Sequence, residues 1–238
     1  AARSDKVWSV GTKPVYRVQL ASGRAIRATA EHRLLAGNGW STVSQLQVGD
    51  RLALARRVPQ PTNCRRWPEH WLVLLGHLVG DGSYLKHQPL RYTSASEWNL
   101  TVVAQAAAAF GSRVHRHPGR GMWRQLVISG NGNRWHAAGV GRWLKELGIF
   151  GQRSHEKRLP PGVFTLPADQ IALLLSHLWA PDGSLPTRKP SGKGAQARVY
   201  FASSSIGLVR DVAALLLRLG IVGRIRTVHT EGYRPRHT

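Results

Sequence analysis

One short sequence pattern occurs twice in this chain of 238 residues, and it constrains the fold more than any other feature. The run Leu75–Ser83 (LGHLVGDGS) has a counterpart in Leu175–Ser184 (LSHLWAPDGS), so Asp81 and Asp182 lie 101 residues apart. Each run closes an apolar stretch of helical character. A repeat of this length predicts two equivalent halves of one pseudo-symmetric domain and not a solenoid of short units.

Both halves show the same order of predicted elements. In the first half, helices are predicted over Pro68–Val79, Trp98–Phe110 and Trp135–Leu147, and strands over Leu90–Thr93, Arg113–His117 and Trp123–Ile128. In the second half, helices are predicted over Ala168–Trp179 and Ile206–Leu219, and strands over Arg198–Ser203 and Val222–Thr230. The second half lacks a final strand and helix, and we therefore expect the chain to be a fragment.

The residues before the first helix have a different pattern. Apolar and polar residues alternate between positions 6 and 58, interrupted by glycine turns, which predicts a small all-β unit. The proline-containing stretch 59–66 predicts a linker. The predicted domains are therefore 1–58, the linker 59–66, a first repeat at 67–150, and a bridge with an incomplete second repeat at 151–238.

Each apolar helix ends in one carboxylate. A helix that is apolar on nearly all sides needs a partner helix, and packing the two together would bring Asp81 and Asp182 to the same end of one interface. The small residues expected to permit this approach are Gly76, Gly80, Ser176 and Ala180. Two carboxylates there repel each other and the helix dipoles, and a divalent cation with oxygen ligands would relieve this repulsion. The simpler alternative is that each Asp-Gly is only a helix-ending turn.

The charge of the chain points to a polyanionic partner. Thirty-four Lys and Arg residues stand against 12 Asp and Glu residues, a net charge of +22. Such an excess favours nucleic acid, and carboxylate-held Mg²⁺ on a basic surface suits hydrolysis of phosphodiesters. The apolar runs are far shorter than the ~20 residues of a membrane span. One cysteine, Cys64, excludes an internal disulfide and a CxxC zinc site.

The two repeated runs resemble the paired motifs of LAGLIDADG homing endonucleases, and this resemblance covers residues 67–238. The first zone resembles the splicing (Hint) domain of inteins through Thr29-Ala30-Glu31-His32, Gly39-Trp40 and Val48-Gly49-Asp50. Together they are similar to inteins of bacterial replicative DNA helicases, the DnaB family.

The resemblance implies an α+β fold in which two pseudo-symmetric αββαββα repeats, the second truncated, follow a small all-β Hint-type segment. Their strands would form a saddle over the DNA major groove. Asp81 and Asp182 would be catalytic, metal-binding acids, with the backbone carbonyls of Gly80 and Pro181 as further ligands of Mg²⁺ or Mn²⁺. Lys157, which lies before a proline, would assist the hydrolytic water or the scissile phosphate.

Further residues receive predicted roles. Thr29 and His32 would assist splicing, with His32 donating a proton to the leaving nitrogen. The chain has neither an N-terminal Cys or Ser nucleophile nor a C-terminal His-Asn pair, so it is not expected to splice in this form. The predicted DNA-binding residues are Arg91, Arg113, His115, Arg116, Arg124, Arg188, Lys189, Arg198, Arg224 and Arg226.

These observations predict a metal-dependent endonuclease within an intein that cuts both strands of the intein-less host allele. The expected protein is a monomer with an internal pseudo-two-fold axis, without a membrane partner, in the bacterial cytoplasm near the nucleoid. Two alternatives stay open: a catalytically decayed DNA-binding insert, and an autoprocessing domain whose endonuclease region has decayed.

Overall fold

The computed structural model describes residues 6–119, 121–133, 135–184 and 199–228. They form two compact units. Among the described residues, the β unit contains 6–56 and 223–228, and the repeat unit contains those between Arg57 and Val222. Residues 223–228 thus belong with the N-terminal segment, in contrast to the prediction that placed them in the second repeat. In the described part of the chain, no helix is long and apolar enough to cross a membrane.

Two hairpins build the β unit. Strand β1 (Val15–Gln19) pairs antiparallel with β2 (Ala25–Thr29), and β3 (Arg33–Ala36) pairs with β4 (Gly39–Thr42). The segment 223–228 contacts the turn between β1 and β2, where the Ile225 N–H donates to the Ser22 carbonyl at 2.8 Å. The predicted strand Val222–Thr230 is wrong for residues 222–228, which are neither helix nor strand.

Gly23 is required in that turn for two reasons. Its φ of +82° lies in the left-handed region, where glycine carries no steric penalty. A Cβ atom at this position would also lie 2.2 Å from the Ile225 carbonyl oxygen. The glycine therefore permits both the turn and the close approach of the returning chain.

The first half of the repeat unit has the order αββαββα. Its elements are α1 (Glu69–Asp81), β5 (Gly82–Ser83), β6 (Leu90–Ser94), α2 (Glu97–Ala108), β7 (Arg113–Pro118), β8 (Arg124–Ser129) and α3 (Gly139–Glu146). Helix α3 is shorter than predicted because the Asn133 side chain accepts the backbone N–H groups of Trp135 and His136, which stabilises a loop instead of a first helical turn.

The strands of this half form one antiparallel sheet with the order β5-β6-β8-β7. Leu90, Tyr92, Leu126 and Ile128 are buried on one face, as expected for strands whose side chains alternate between two sides. The other face carries Arg91, Thr93, Gln125, Val127 and, on β7, Arg113 and His115. The sheet therefore has one apolar face and one polar, basic face.

The second half repeats the first four elements as α4 (Ala168–Asp182), β9 (Gly183–Ser184), β10 (Tyr200–Phe201) and α5 (Ile206–Arg218). Strand β9 pairs with β10 as β5 pairs with β6, with Phe201 opposite Gly183 and Tyr92 opposite Gly82. The strand predicted over Arg198–Ser203 is limited to two residues among those described.

A serine begins the second helix of each half. The Ser96 hydroxyl accepts the Asn99 N–H at 3.3 Å at the start of α2, and the Ser205 hydroxyl accepts the Leu208 N–H at 3.1 Å at the start of α5. Serine at this position satisfies one of the free N–H groups of the first helical turn. This shared cap is a further sign of the internal repeat.

Helices α1 and α4 pack closely through glycines of α1. A Cβ atom on Gly76 would lie 2.8 Å from both the Cβ of His177 and the backbone N of Leu178, and one on Gly80 would lie 2.4 Å from the Pro181 ring. Pro181 lies in the last turn of α4, and His177 is buried in the interface. Ser176 and Ala180 are exposed, so the predicted role of these two small residues is wrong.

Gly76→Ala is expected to destabilise the repeat unit. Alanine would gain about 1 kcal/mol in helix propensity, but its methyl group would meet backbone atoms of α4 that cannot move independently. Overpacking of this kind costs about 1–3 kcal/mol and more against backbone, so we expect a lower melting temperature. In the control Gly37→Ala, the new methyl group meets only an ordinary contact at 3.7 Å. Unchanged thermal unfolding of Gly76→Ala would contradict the packing.

Candidate active site

Two carboxylates lie at the C-terminal ends of the packed helices. Asp81 is the last residue of α1 and Asp182 is the last residue of α4, and each is followed by a glycine whose N–H closes the final turn. A Cβ atom on Gly80 would lie 3.3 Å from the Asp182 Oδ2 atom, so the Asp182 carboxylate reaches the last turn of α1. The predicted convergence of the two acids is therefore what the structure contains.

Both carboxylates are difficult to ionise in this position. Burial raises the pKa of Asp182 to about 6; the negative charge of Asp81 adds to this increase, and Lys157 opposes it. Burial also raises the pKa of Asp81, again opposed by Lys157. Desolvation and like charge both favour the neutral acid, so the site holds unfavourable negative charge at neutral pH.

Lys157 supplies the cation of this site. Only 7% of the residue is exposed, and its Nζ atom donates to the carbonyls of Gly80 at 2.6 Å and Gly82 at 3.0 Å, with Leu78 at 3.5 Å. These carbonyls belong to the end of α1, where a helix carries partial negative charge. The Lys157 Nζ atom also lies 5.6 Å from the centre of the Tyr84 ring.

The surroundings of Lys157 act on its charge in both directions. Burial lowers the pKa of its ammonium, while the carboxylates of Asp182 and Asp81 oppose this decrease. The sequence-based prediction named a lysine beside a scissile phosphate. In the structure its donors are directed at the backbone of α1, including the Gly80 carbonyl that was predicted to bind a metal.

The donor atoms of this site fit a hard divalent cation. Carboxylate oxygens are the ligands that Mg²⁺ and Mn²⁺ prefer, and the raised pKa values of Asp81 and Asp182 record negative charge that a cation would stabilise. No group of three or more His, Cys, Asp or Glu side chains forms a cluster among the described residues. The site therefore offers two carboxylates as candidate side-chain ligands, and their role stays a prediction, as does that of the Gly80 and Pro181 carbonyls.

A chain of buried polar groups crosses the helix interface beside the two acids. The His177 Nδ1 and His77 Nε2 atoms are 3.2 Å apart, and the His77 Nδ1 atom is 3.0 Å from the Tyr92 hydroxyl. Burial, together with His177, lowers the pKa of His77 to about 4, so its ring is neutral at physiological pH. The histidine shared by both repeated runs (LGHL and LSHL) was the sequence signal for this pair.

The predicted DNA-binding residues of the first half separate onto two faces of the sheet. The register places Arg91, Arg113 and His115 on the outward, polar face. Arg116 and Arg124 lie on the opposite side, and their DNA-binding role stays a prediction. Arg116 pairs with Glu97 of α2, and Arg124 donates to two carbonyls of the β7–β8 turn at 3.0 Å each. Strand alternation is the reason, because neighbouring residues point to opposite faces.

The other predicted DNA contacts fall elsewhere. Arg188, Lys189 and Arg198 lie outside the described residues. Arg224 and Arg226 belong to the β unit and not to the repeat unit that carries the sheet. The prediction that these two residues extend a strand of the second repeat is therefore wrong for the described residues.

The proposed splicing residues share one turn of the β unit. Thr29 ends β2, and the His32 N–H donates to the Thr29 carbonyl at 3.1 Å. The His32 carbonyl accepts the Val43 N–H at 3.0 Å, which fixes this turn against the start of the following 3₁₀ helix. His32 is exposed and Thr29 is half-buried, so both side chains border the surface.

The sequence of this chain is similar to a known domain family and to segments of known bacterial proteins. Residues 169–238 match the family described as LAGLIDADG-like domain. The chain is 44% identical to replicative DNA helicase DnaB of Rhodothermus marinus over 233 residues, which are 95% of this chain and 24% of that protein. It is 28% identical to RecA of Mycobacterium tuberculosis over 230 residues, covering 94% of this chain and 28% of that protein.

Among solved structures, this chain is similar to the homing endonuclease I-DmoI in complex with DNA and Mn. The match covers 69% of this chain and 84% of the I-DmoI chain, with 16% sequence identity and a TM-score of 0.41. The chain spans only about a quarter of the length of the DnaB and RecA relatives it matches. One segment of nearly this whole length is thus shared by proteins that carry different names.

Proposed function

We propose that this chain, whose residues 169–238 match the LAGLIDADG-like domain family, is a site-specific endonuclease that cuts both strands of DNA from within an intein. The observation that carries the proposal is the centre formed by Asp81, Asp182 and Lys157 at the ends of α1 and α4. Two acids from equivalent helices provide one centre for two strands of a duplex, which has the same approximate two-fold symmetry.

The residues of the centre perform distinct tasks in this proposal. Asp81 and Asp182 would hold the cation and would orient water toward the phosphorus atom. Lys157 holds the end of α1 in place and lies where negative charge increases as the phosphodiester is attacked. A bound Mg²⁺ or Mn²⁺ would supply Lewis-acid stabilisation of the attacking and leaving oxygens.

The basic face of the sheet is the proposed DNA surface. Arg113, His115 and Arg91 project from it in the same direction, and arginine forms bidentate contacts with phosphate and with guanine. The net charge of +22 would draw DNA to the protein before any specific contact forms.

The intein context rests on how the relatives are distributed. Nearly the whole chain matches parts of DnaB and of RecA, although it covers about a quarter of each. A segment shared by differently named proteins is more typical of an inserted element than of the working domain of either protein. Thr29 and His32 are the proposed splicing-assist residues of the β unit, and the proposed location is the bacterial cytoplasm near the nucleoid.

The direct test is cleavage of a supercoiled plasmid that contains the uninterrupted insertion site of the host gene. With Mg²⁺ or Mn²⁺ we expect linear product, and with a chelator no product. A plasmid with the same sequence interrupted at its centre is the matched substrate control. Binding of the uninterrupted site without nicking would instead favour the decayed DNA-binding insert.

Arg113→Ala is expected to weaken DNA binding about equally for all sequences and to lower the salt dependence by about one ion per complex. Arg116→Ala is the matched control, because this neighbouring arginine pairs with Glu97 on the other side of the sheet. Fluorescence anisotropy across a salt series measures both variants. A larger loss for Arg116→Ala would contradict the assigned face.

The affinity for the divalent cation is expected to decrease as pH falls through about 6. Below that pH, the raised pKa of Asp182 leaves its carboxyl protonated and unable to bind a cation. Titration of the DNA-free protein with Mn²⁺ at pH 5 and pH 7.5 measures this change. Equal Mn²⁺ affinity at both values would argue against Asp182 as a ligand.

A further inference from the structure

The segment that carries Lys157 has little regular structure of its own. A single 3₁₀ turn, Ser154–Glu156, precedes the lysine, and the backbone then extends toward Pro160. An ammonium placed to 2.6 Å on a carbonyl of α1 needs a more rigid support than such a segment provides. The contacts of the residues around Lys157 show that this support comes from α5.

The first support is the N-cap of α5. Ser205 is only 1% exposed, and its hydroxyl donates to the Lys157 carbonyl at 2.7 Å while accepting the Leu208 N–H at 3.1 Å. The same hydroxyl therefore begins the helix and fixes the backbone of the lysine. Neither of its two hydrogen bonds can shift without affecting the other.

The second support is a carboxylate six residues further along α5. Asp211 is 4% exposed, and its two oxygens accept the Arg158 Nε and Nη2 atoms at 2.7 Å each. The Leu159 N–H also donates to Asp211 Oδ2 at 3.1 Å. Parallel hydrogen bonds between a guanidinium and a carboxylate fix orientation as well as distance. Asp211 thus holds the two residues that follow Lys157.

The described residues of the first half of the repeat unit contain no such arrangement. Counting from the capping serine, Val102 of α2 occupies the position equivalent to Asp211, and the equivalent cap Ser96 is exposed. The Asp211 carboxylate is buried on the otherwise apolar face formed by Leu208, Val212 and Leu215. A buried charge in one repeat only, directed at the segment of the single central lysine, indicates a role tied to that lysine.

We propose that Ser205 and Asp211 are positioning residues that hold the Lys157 ammonium against the end of α1, near the two acids. This inference rests on the proposed endonuclease function for its catalytic meaning, but the geometric part stands on the hydrogen bonds alone. Helix α5 of the second half thereby determines where the cation of the centre lies.

The geometric part is tested by the reactivity of Lys157 toward acetic anhydride, followed by mass spectrometry of the intact full chain. Ser205→Ala and Asp211→Asn are expected to raise the labelling rate of Lys157 about tenfold or more, because local opening exposes the amine. Ser96→Ala removes the equivalent cap of α2 and is expected to leave the rate unchanged. Wild-type labelling in both α5 variants would overturn the proposal.

The catalytic part is tested by kinetics on the plasmid substrate. A displacement of about 1 Å at a catalytic group can reduce the rate about 100-fold, so we expect kcat to fall 10- to 100-fold with KM within about threefold. Ser205→Thr keeps the hydroxyl and is expected to restore kcat. A loss in KM alone, or no rescue by Ser205→Thr, would contradict a positioning role.

The two readouts separate the proposals. If the wild-type protein cuts no DNA, the proposed function fails, and Lys157 labelling still decides whether α5 holds the lysine. If Asp211→Asn does not fold, Ser205→Ala and Ser205→Thr provide the comparison, because they keep the Asp211–Arg158 ion pair.

Discussion

Asp182→Asn is expected to abolish DNA cleavage and, at the same time, to make the protein more stable. The amide cannot carry the charge that binds a divalent cation, so we expect a loss of about 100- to 1,000-fold in cleavage rate, as for other groups that stabilise developing charge. DNA affinity should be retained because the basic face of the sheet is unchanged.

The gain in stability follows from the sign of the pKa change. Folding raises the pKa of the Asp182 carboxyl from 3.8 to about 6, because burial and Asp81 both disfavour its charge. The folded state therefore holds this proton more tightly than the unfolded chain does. The resulting stabilisation is complete below pH 3.8 and is lost as pH rises through about 6, so the charged carboxylate opposes folding at neutral pH.

A pKa difference of this size corresponds to roughly 3 kcal/mol, and the partial exposure of Asp182 reduces the expected effect to about 1–2 kcal/mol. Thermal and urea unfolding at pH 7.5 in the presence of a chelator measures it. Mg²⁺ or Mn²⁺ should then stabilise the wild-type protein and stabilise Asp182→Asn much less, because a ligand contributes stability only where it binds.

Asp169→Asn is the matched control on the same helix. Asp169 lies in the first turn of α4, is exposed and pairs with Arg66, and this pairing lowers its pKa. Its replacement should therefore neither stabilise the protein nor affect cleavage. A wild-type cleavage rate for Asp182→Asn, or a decrease in its stability without metal, would show that Asp182 is a structural turn residue.

The sequence was sufficient to predict where the two acids lie because its signal is local and repeated. Apolar residues of helical period, followed by Asp-Gly, predict a buried helix that ends at a carboxylate, and a second copy predicts its partner. The structure has both helices with Asp81 and Asp182 as their last residues. Gly76 and Gly80 lie in the predicted interface for the same reason, since close helix packing requires small residues.

Residues whose role depends on register or on distant partners were not predictable in this way. His115 and Arg116 are neighbours that the sequence alone makes equally good candidates for DNA binding, yet the strand pairing places them on opposite faces of the sheet. Asp211 gave no local signal at all. Its role depends on a hydrogen bond from Arg158, which lies 53 residues earlier in the chain. Only the packing of α5 against the segment that carries Arg158 brings the two residues together.

The interface of α1 and α4 shows a third kind of limit. Small residues at equivalent positions were expected on both helices, but α4 presents Pro181 opposite Gly80. The missing side chain on one helix therefore makes room for a ring on the other. Complementary shapes of this kind leave no pattern in either helix alone, and they are visible only once the pairing is known.

Lys157→Met is expected to cost both stability and cleavage. The substitution keeps a side chain of similar length but leaves the carbonyls of Gly80 and Gly82 without their donor, and it removes the cation near two carboxylates. Unsatisfied buried groups cost about 1–3 kcal/mol each. Relief of the buried ammonium offsets part of this, so we expect a net loss of about 2–3 kcal/mol at pH 7.5 without metal.

The decisive measurement is a double-mutant cycle with Asp182→Asn. If Lys157 reduces the repulsion between Asp81 and Asp182, removing the lysine makes the Asp182 charge more unfavourable. Asp182→Asn should then stabilise the Lys157→Met variant more than it stabilises the wild type, with a coupling of at least about 1 kcal/mol. DNA cleavage should stay absent, because the double variant lacks both the Asp182 carboxylate and the Lys157 ammonium.

Additive effects in this cycle would mean that Lys157 only caps α1 and does not act on the acids. Coupling of the expected sign would mean that the charges of Asp81, Asp182 and Lys157 form one interacting unit. In that unit, each charged carboxylate alone is unfavourable for the free energy of folding. The Lys157 ammonium reduces this cost but does not remove it. A bound divalent cation would offset the remaining negative charge. The stabilisation that added Mg²⁺ or Mn²⁺ produces would then measure the affinity of the centre for the cation.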